Sequence, residues 1–405
     1  MRSETAAETS ASPHRDFRHA ESPTIPDLRS SFADVSAGIA IGYFGPFESD
    51  QDPDTSAWLA AEMAREDIAG ECLDGRPLKL SPAWSESPWT GGAAVLSDII
   101  FRQQALGIIG GIDGEATHLA ETLVAKAHVP LISAVSTAKS VNLANVPWTF
   151  SVLPGDHLIA PQLAQRLAVS ARSLAVISGP DHDSRGFWQE LRPHLPADRI
   201  TLAGLWIVQS SGKEEEQSLA AIAAKIVSAN PECVLVTARA PIAAHAVLTL
   251  RAAGYSGILA TDARGGRRAF LETVGDSAEG ILCPLVIEPS DRLEDWLARF
   301  ESRFNRKADY AAAATYDATC LLLRAAIRAS SPQQPIVDRA NIARLLRDSA
   351  PYLGITGRIE WDDLGANRRP AQIGVIRKGK LQPATPVPDG TPARSNATDS
   401  HDVGQ

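Results

Sequence analysis

The stretch of residues 105–137 constrains the fold more than any other part of this chain. Residues 108–114 (Ile-Ile-Gly-Gly-Ile-Asp-Gly) run from an apolar strand into a loop of small residues, and residues 115–127 then have helical spacing. Residues 129–132 (Val-Pro-Leu-Ile) form a second strand, which the loop of residues 133–137 (Ser-Ala-Val-Ser-Thr) follows. Two parallel strands thus present two loops at the carboxyl edge of one sheet, where open α/β sheets bind ligands. We expect these loops to form half of a ligand cleft.

Strand and helix patterns alternate through the rest of the chain, which is typical of the α/β class. With 405 residues, the chain is too long for one ordinary core and predicts two domains. Residues 355–361 and 371–377 look like a late hairpin. Residues 1–37 and 384–405 are polar and rich in Ser, Pro or Thr, so we expect both to be disordered tails.

Composition argues against several classes of protein. The net charge is −9, and no run of Lys and Arg is longer than two residues, which argues against a nucleic-acid binder. The four cysteines lie apart in sequence and fit neither a zinc motif nor a disulfide scaffold, so we predict buried thiols and no metal. No apolar run reaches the roughly 18 residues that a membrane helix needs. The chain is therefore not expected to span a membrane.

Catalytic motifs are missing from the sequence as well. The glycine-rich loop lacks the G-x-G-x-x-G spacing of dinucleotide-binding proteins and is not followed by a P-loop lysine. The chain has no G-x-S-x-G elbow and no H-E-x-x-H zinc motif. We therefore predict a protein that is not an enzyme and that needs no cofactor.

Several segments carry a family resemblance through their order and spacing. They are residues 39–46 (Ile-Ala-Ile-Gly-Tyr-Phe-Gly-Pro), the loop pair described above, residues 150–156 (Phe-Ser-Val-Leu-Pro-Gly-Asp), residues 275–280, residues 316–318 and residues 354–357 with Trp361, Asp362 and Gly365. Together they resemble the type I periplasmic solute-binding proteins, specifically the branched-chain amino-acid and amide-binding family of ABC importers. The resemblance covers roughly residues 37–383.

The resemblance implies two doubly wound parallel-sheet lobes of the type I periplasmic-binding fold, joined by a three-strand hinge. The first lobe would comprise residues 38–151 plus 282–352, and the second residues 152–281 plus 353–383. Ligand contacts made only in the closed form would drive closure of such lobes.

The resemblance also implies ligand contacts in the first lobe. Family members hold an amino-acid carboxylate with hydroxyl and backbone N–H groups of the two loops, and Val135, Ser136 and Thr137 keep this chemistry. Gly114 stands where the family has a ligand-binding serine, and Asp113 beside it opposes a carboxylate. Thr137 and Asp113 have an alternative role as helix N-caps.

In the second lobe the family pattern is further altered. Asp183 and Arg239 lie at or near positions where family members have a tyrosine. Asp262 lies near the position where family members have the acid that pairs with a ligand ammonium. Asp183 has an alternative role as a helix cap, and Asp262 as a turn residue. Two ligand classes stay open: acids such as Asp113 favour a cationic or polyhydroxylated ligand, whereas Arg239 and Arg264 favour an acid.

Three aromatic residues lie at or just after strand ends on the ligand edge. Tyr43, Phe47 and Trp84 are candidates for an aromatic wall that packs on the apolar part of a ligand. The alternative for each is the core of the first lobe.

The sequence thus predicts a solute-binding protein that closes on a small polar ligand, such as an amino acid or amide, and delivers it to an ABC permease. The family places such proteins in the periplasm, as monomers or dimers. Residues 1–37 have no apolar central region and hence no visible signal peptide. A cytoplasmic ligand sensor of the same fold that regulates a partner protein is therefore the alternative, and an α/β enzyme is a remote one.

Overall fold

The computed structural model describes residues 32–48, 54–72, 74–85, 87–208, 212–331, 333 and 335–386. Most of the two predicted tails, residues 1–31 and 387–405, lies outside these described residues. No described helix combines the length and the apolar character that crossing a bilayer requires.

Strands and helices alternate along the described chain, as the sequence predicts. The strands are β1 (Phe32–Asp34), β2 (Ile39–Phe44), β3 (Leu78–Ala83), β4 (Ile108–Gly110), β5 (Leu131–Ser133), β6 (Thr149–Ser151), β7 (Ser173–Ser178), β8 (Thr201–Ile207), β9 (Cys233–Thr237), β10 (Ile258–Thr261), β11 (Leu282–Leu285), β12 (Ile336–Asp338), β13 (Tyr352–Gly354), β14 (Gly357–Ile359), β15 (Gln372–Arg377) and β16 (Lys380–Pro383). The α-helices are α1 (Thr55–Ala69), α2 (Ala93–Ser97), α3 (Gly114–Ala127), α4 (Ser140–Leu143), α5 (Asp156–Ser170), α6 (His182–Leu191), α7 (Gly212–Ala229), α8 (Ala240–Ala252), α9 (Arg268–Val274), α10 (Asp291–Phe304), α11 (Tyr310–Ala329) and α12 (Arg339–Asp348). Single 3₁₀ turns add Arg192–His194, Ala263–Gly266 and Gly275–Ala278, and π-helical turns at Pro88–Gly92 and Asp98–Arg102 flank α2.

The described chain begins with β1, inside the segment that the sequence predicts as a disordered tail. β1 pairs antiparallel with β12, and Ala33 lies opposite Val337. Ala33 and Val35 are buried, and burying apolar side chains stabilises an ordered position. The tail prediction is therefore wrong for these residues.

Five described strands form the sheet of the first lobe in the order β3-β2-β4-β5-β6, all parallel. The chain moves from β2 to β3 on one side and then returns across β2 to β4 on the other. Such a reversal of strand order creates a crevice at the carboxyl edge of a sheet. Because β4 and β5 are neighbours, the loops after them lie side by side at this edge, as predicted.

Seven described strands form the sheet of the second lobe in the order β16-β15-β11-β10-β9-β7-β8. The five strands from β11 to β8 are parallel, whereas β15 and β16 add an antiparallel edge. This arrangement is the predicted type I fold of two doubly wound lobes.

Two details of the predicted topology are corrected by strand pairing. β11 pairs with β10 and β15, so this strand belongs to the second sheet and not to the first lobe, where the boundary at residue 282 had placed it. The prediction of a late hairpin between residues 355–361 and 371–377 is also wrong, because β14 pairs with β13 and β15 pairs with β16. Both errors concern the choice of partner, which short apolar strands do not encode locally. The other lobe boundaries stay a prediction.

Helices cover both faces of the central strands of each sheet, which explains why these strands are nearly continuously apolar. In β7, Leu174 and Val176 contribute to one buried cluster with residues of α5, while Ala175 and Ile177 contribute to another with residues of α7 and α8. Side chains alternate between the two faces of a strand, so a strand that is covered twice must be apolar throughout.

The chain crosses between the lobes three times. The first crossing follows β6, and it is hydrogen-bonded to the third crossing, which contains Trp361 and Asn367. The indole N–H of Trp361 donates to the carbonyl of Ser151 over 2.8 Å, and the side-chain amide of Asn367 donates to the carbonyl of Val152 over 2.5 Å. Both carbonyls are satisfied although they are buried, as buried backbone groups require.

The second crossing follows β11, and a buried arginine joins it to the third crossing by hydrogen bonds. The guanidinium of Arg369 donates to the carbonyls of Val286 and Thr356. The buried carboxylate of Asp317 in α11 accepts the N–H groups of Ile355 and Thr356 over 3.0 and 2.9 Å. The three crossings thus form one hydrogen-bonded hinge.

Candidate functional site

The loop after β4 places Asp113 at the start of α3. One oxygen of Asp113 accepts the N–H of Ala116 over 2.8 Å, so the side chain caps the helix. The other oxygen lies 3.3 Å from a guanidinium nitrogen of Arg239, which belongs to the second lobe. Asp113 therefore caps α3 and also lies in the cleft between the lobes, and its contact with a ligand stays a prediction.

The loop after β5 contributes three predicted residues to the same place. Val135 and Ser136 are buried, and the Ser136 hydroxyl accepts the N–H of Ala138 over 3.2 Å. The Thr137 carbonyl accepts the N–H of Asp156 over 2.7 Å, and the Thr137 hydroxyl lowers the pKa of the Asp156 carboxyl. The next helix, α4, begins only at Ser140, so Thr137 is not its N-cap.

Asp183 projects from α6 of the second lobe towards the first. Its Oδ2 accepts the N–H of Gly114 over 2.9 Å, whereas its Oδ1 is buried and has no hydrogen-bond partner among the described residues. The cap of α6 is Asp181, whose side chain accepts the N–H of Ser184 over 3.0 Å. The capping alternative for Asp183 is therefore wrong.

Asp262 is held by a neighbouring arginine. Its carboxylate accepts the N–H of Arg264 over 2.9 Å, in the predicted turn, and also pairs with the Arg264 guanidinium over 2.6 Å. The same guanidinium lies 2.9 Å from Asp181 and 2.9 Å from the Ser184 hydroxyl. Asp262 and Arg264 thus form a buried ion-pair network.

These residues surround a cavity of about 290 Å³ between the two lobes. Its lining residues are Asp54, Ile112, Asp113, Val135, Ser136, Thr137, Asp156, Asp183, Phe187, Arg239, Ala240, Pro241, Asp262, Ala263, Arg264, Arg267, Ala269 and Tyr310. Of the eight predicted ligand residues, seven line the cavity, and Gly114 lies behind Asp183. The sequence therefore predicted seven of the residues that line this cavity, although they come from both lobes and lie far apart in the chain.

Asp156 is one of several cavity residues that sequence reasoning missed, together with Phe187, Arg267 and Tyr310. It is only 4% exposed, and its Oδ1 has no hydrogen-bond partner among the described residues. Burial raises the pKa of this carboxyl well above its ordinary value, and the neighbouring carboxylates Asp183 and Asp262 raise it further. The Thr137 hydroxyl and the Arg264 guanidinium act in the opposite direction. The only signal in the sequence was an acid just after the first crossing.

The pKa of the Asp183 carboxyl is shifted in the same direction as that of Asp156, upwards. Burial raises the pKa of its carboxyl, while the Arg264 guanidinium and the N–H of Gly114 lower it; Asp113 and Asp181 raise it again. Such paired shifts in a cleft are typical of functional positions.

The predicted aromatic wall is not part of this cavity. Tyr43 is 2% exposed and packs on Trp58, with ring centroids 5.2 Å apart. Phe47 and Trp84 line a separate depression of about 670 Å³ on the first lobe. The aromatic-wall prediction is therefore wrong, because these side chains pack against α1 and α2 instead of facing the second lobe. Phe187 and Tyr310 line the cavity instead.

The described residues include no group of three or more His, Cys, Asp or Glu side chains placed to hold a metal ion. The four cysteines are buried and free of disulfides.

The pKa of Asp156 leads to a prediction about stability and pH. A carboxyl whose pKa is raised by folding stabilises the protein below its ordinary pKa, about 4, and this contribution is lost as the pH rises through the folded-state value. Asparagine resembles the protonated carboxyl and does not titrate. We therefore expect Asp156→Asn to gain stability relative to the wild type as the pH rises above about 4. Urea unfolding of both proteins at several pH values measures this, and a difference that is constant with pH would contradict it.

The chain is similar in sequence to a described family. The profile of the periplasmic binding protein family matches residues 38–380. No curated protein sequence matches the chain significantly.

Solved structures of similar fold cover most of the chain. An ABC transporter substrate-binding protein from Desulfitobacterium hafniense, in complex with Leu, is 21% identical, with a TM-score of 0.70, over 86% of this chain and 100% of that chain. The leucine-binding protein LivK from Thermotoga maritima is 18% identical, with a TM-score of 0.74, over 86% of this chain and 98% of its own. An ABC transporter solute-binding protein from R. palustris, in complex with benzoate, is 15% identical, with a TM-score of 0.74, over 85% of this chain and 95% of its own. The matched family and these neighbours are binding proteins and not enzymes.

Proposed function

We propose, from the premise that this chain belongs to the periplasmic binding protein family, that it binds a small polar solute between its lobes and delivers it to an ABC importer. The solute would contact the predicted residues of both lobes, together with Asp156. The periplasm is the proposed location and an ABC permease the proposed partner.

The observation that carries this proposal is the cavity of about 290 Å³ that both lobes line. Its volume lies near the lower end of the range for small-molecule pockets. A cavity whose walls come from two lobes is complete only when the lobes are closed. A solute that contacts both walls therefore favours the closed form over the open one.

Direct bonds between the lobes support closure around this cavity. Besides the bond between Gly114 and Asp183, the Lys139 ammonium lies 3.0 Å from Glu190. The Ser140 hydroxyl lies 3.2 Å from a ring nitrogen of His182. These contacts are polar and partly exposed, so each is worth little. They differ in this respect from the buried pair of Arg267 and Asp309, which also joins the two lobes.

The ligands bound in similar structures are consistent with a small solute. Leucine occupies the protein from D. hafniense and benzoate the protein from R. palustris. Both are small organic acids, yet they differ in the presence of an ammonium group. The fold alone therefore does not choose the solute, and the side chains of the cavity must do so.

A thermal-shift screen tests the solute-binding proposal. The panel contains amino acids, amides, amines, sugars, nucleosides and aromatic acids. A solute at about 100 times its dissociation constant adds roughly 2.7 kcal/mol to the stability of the folded protein. We expect at least one class to raise the melting temperature, with the shift growing with solute concentration. If no class produced a shift, the solute-binding proposal would fail in favour of a protein-binding role.

A further inference from the structure

The arginines around the cavity are already occupied by carboxylates. Among the described residues that line it, Arg264 faces Asp262 and Asp181, and Arg267 faces Asp309 and Asp54.

The third arginine, Arg239, lies 3.3 Å from Asp113 and 3.8 Å from Glu115. Its side chain is 53% exposed, which places it at the rim. An anionic solute would have to compete with two carboxylates for each of the three arginines. Five aspartates and three arginines line the cavity, so the acids are in excess and the balance of charge favours a cation.

Two carboxylate oxygens in the cavity lack a partner. These are Oδ1 of Asp156 and Oδ1 of Asp183, both buried and both without a hydrogen bond in the described chain. Asp156 is more than nine-tenths buried, and both carboxylates line the same cavity. A buried carboxylate without a partner is costly. A cationic group with several N–H donors would satisfy both oxygens at once.

Asp183 also occupies a position that favours an anion. The N–H of Gly114, at the N-terminus of the fourteen-residue helix α3, points at Oδ2 of Asp183. Backbone N–H groups at a helix N-terminus bind anions, including the carboxylate of a ligand. Here the protein supplies that carboxylate itself. A solute with its own carboxylate would meet this position filled and negatively charged.

Gly114 and Asp183 fit each other sterically. A Cβ atom built on Gly114 would overlap Oδ1 of Asp183. A side chain larger than glycine at this position would therefore require the Asp183 carboxylate to move. The two departures from the family pattern, Gly114 and Asp183, thus form one arrangement.

The remaining lining has apolar surface for a carbon skeleton. Phe187, Ala240, Pro241, Ala263 and Tyr310 contribute to the wall. A short aliphatic or aromatic chain would pack on such side chains.

From these observations we propose that the solute is a small primary amine or short polyamine without a free carboxylate, and that its ammonium binds between Asp156 and Asp183. This inference rests on the proposed solute-binding function and specifies its ligand class. In this arrangement Asp183 takes the place of the carboxylate that an amino-acid ligand would bring.

Titration calorimetry with matched pairs of amine and amino acid tests this class. The pairs are cadaverine with lysine, agmatine with arginine, and isoamylamine with leucine. We expect at least one amine to bind at least about tenfold more tightly than its amino acid. Equal or tighter binding of the amino acids, or binding only of sugars or aromatic acids, would overturn this inference and leave solute binding intact. Failure of every solute in the full panel would overturn the proposed function as well.

A variant identifies the residue responsible for the preference. Asp183→Ala frees the N–H of Gly114 for a ligand carboxylate and removes one negative charge. We expect the ratio of amine affinity to amino-acid affinity to fall by at least about tenfold. Asp198→Asn, which removes an exposed acid after the Arg192–His194 turn, should leave the ratio unchanged. A merely structural role of Asp183 would weaken both members of a pair equally, so an unchanged ratio would overturn the assignment.

Discussion

Arg267→Met is expected to lower the free energy of unfolding by roughly 3–5 kcal/mol. Arg267 belongs to the second lobe, and its guanidinium lies 2.9 Å from Asp309, which caps α11 of the first lobe. Both side chains are less than 10% exposed. Methionine keeps much of the arginine volume but leaves the buried Asp309 carboxylate without its cation. Urea unfolding of the wild type and the variant measures the loss.

The control for this prediction is an exposed arginine. Arg344 pairs with Asp348 over 3.0 Å within α12, and its side chain is 64% exposed. We expect Arg344→Met to change stability by less than about 0.5 kcal/mol, because exposed pairs of this kind contribute little. If the two variants lost similar amounts, the Arg267 pair would not be the buried contact between lobes that its geometry indicates.

Ala240→Trp is expected to weaken solute binding at least about a hundredfold. Ala240 begins α8 and lines the cavity from the second lobe. An indole ring at this position would take up much of the about 290 Å³ in which the solute would lie. Ala252, at the end of the same helix, is exposed to solvent. Ala252→Trp therefore provides a matched control that adds the same side chain away from the cavity.

The two loops of the first lobe could be predicted from sequence because their signals are local. Each strand is a short apolar run, and each is followed by small and polar residues that cannot continue it. Parallel strands place such loops on one edge whatever the details of packing. Val135 and Thr137 therefore line the cavity that the sequence led us to expect.

Other positions depended on which segments pack together. Asp181 and Asp183 are equally plausible caps by sequence, and only the structure shows that Asp181 caps α6 while Asp183 reaches Gly114. In the sequence, Asp156 is indistinguishable from an ordinary acid in the first turn of a helix. Only the structure, in which both lobes surround Asp156, shows that its Oδ1 has no hydrogen-bond partner among the described residues. Tyr43 sits at a strand end, but α1 covers it with Trp58.

The most direct test of the account is a calorimetric titration of the solute that gives the largest thermal shift. It is titrated into the wild type, Ala240→Trp and Ala252→Trp, after circular dichroism has established that all three are folded. We predict that the wild type and Ala252→Trp bind with the same affinity and that Ala240→Trp shows no measurable binding. Undiminished binding by folded Ala240→Trp would contradict the claim that the cavity between the lobes holds the solute.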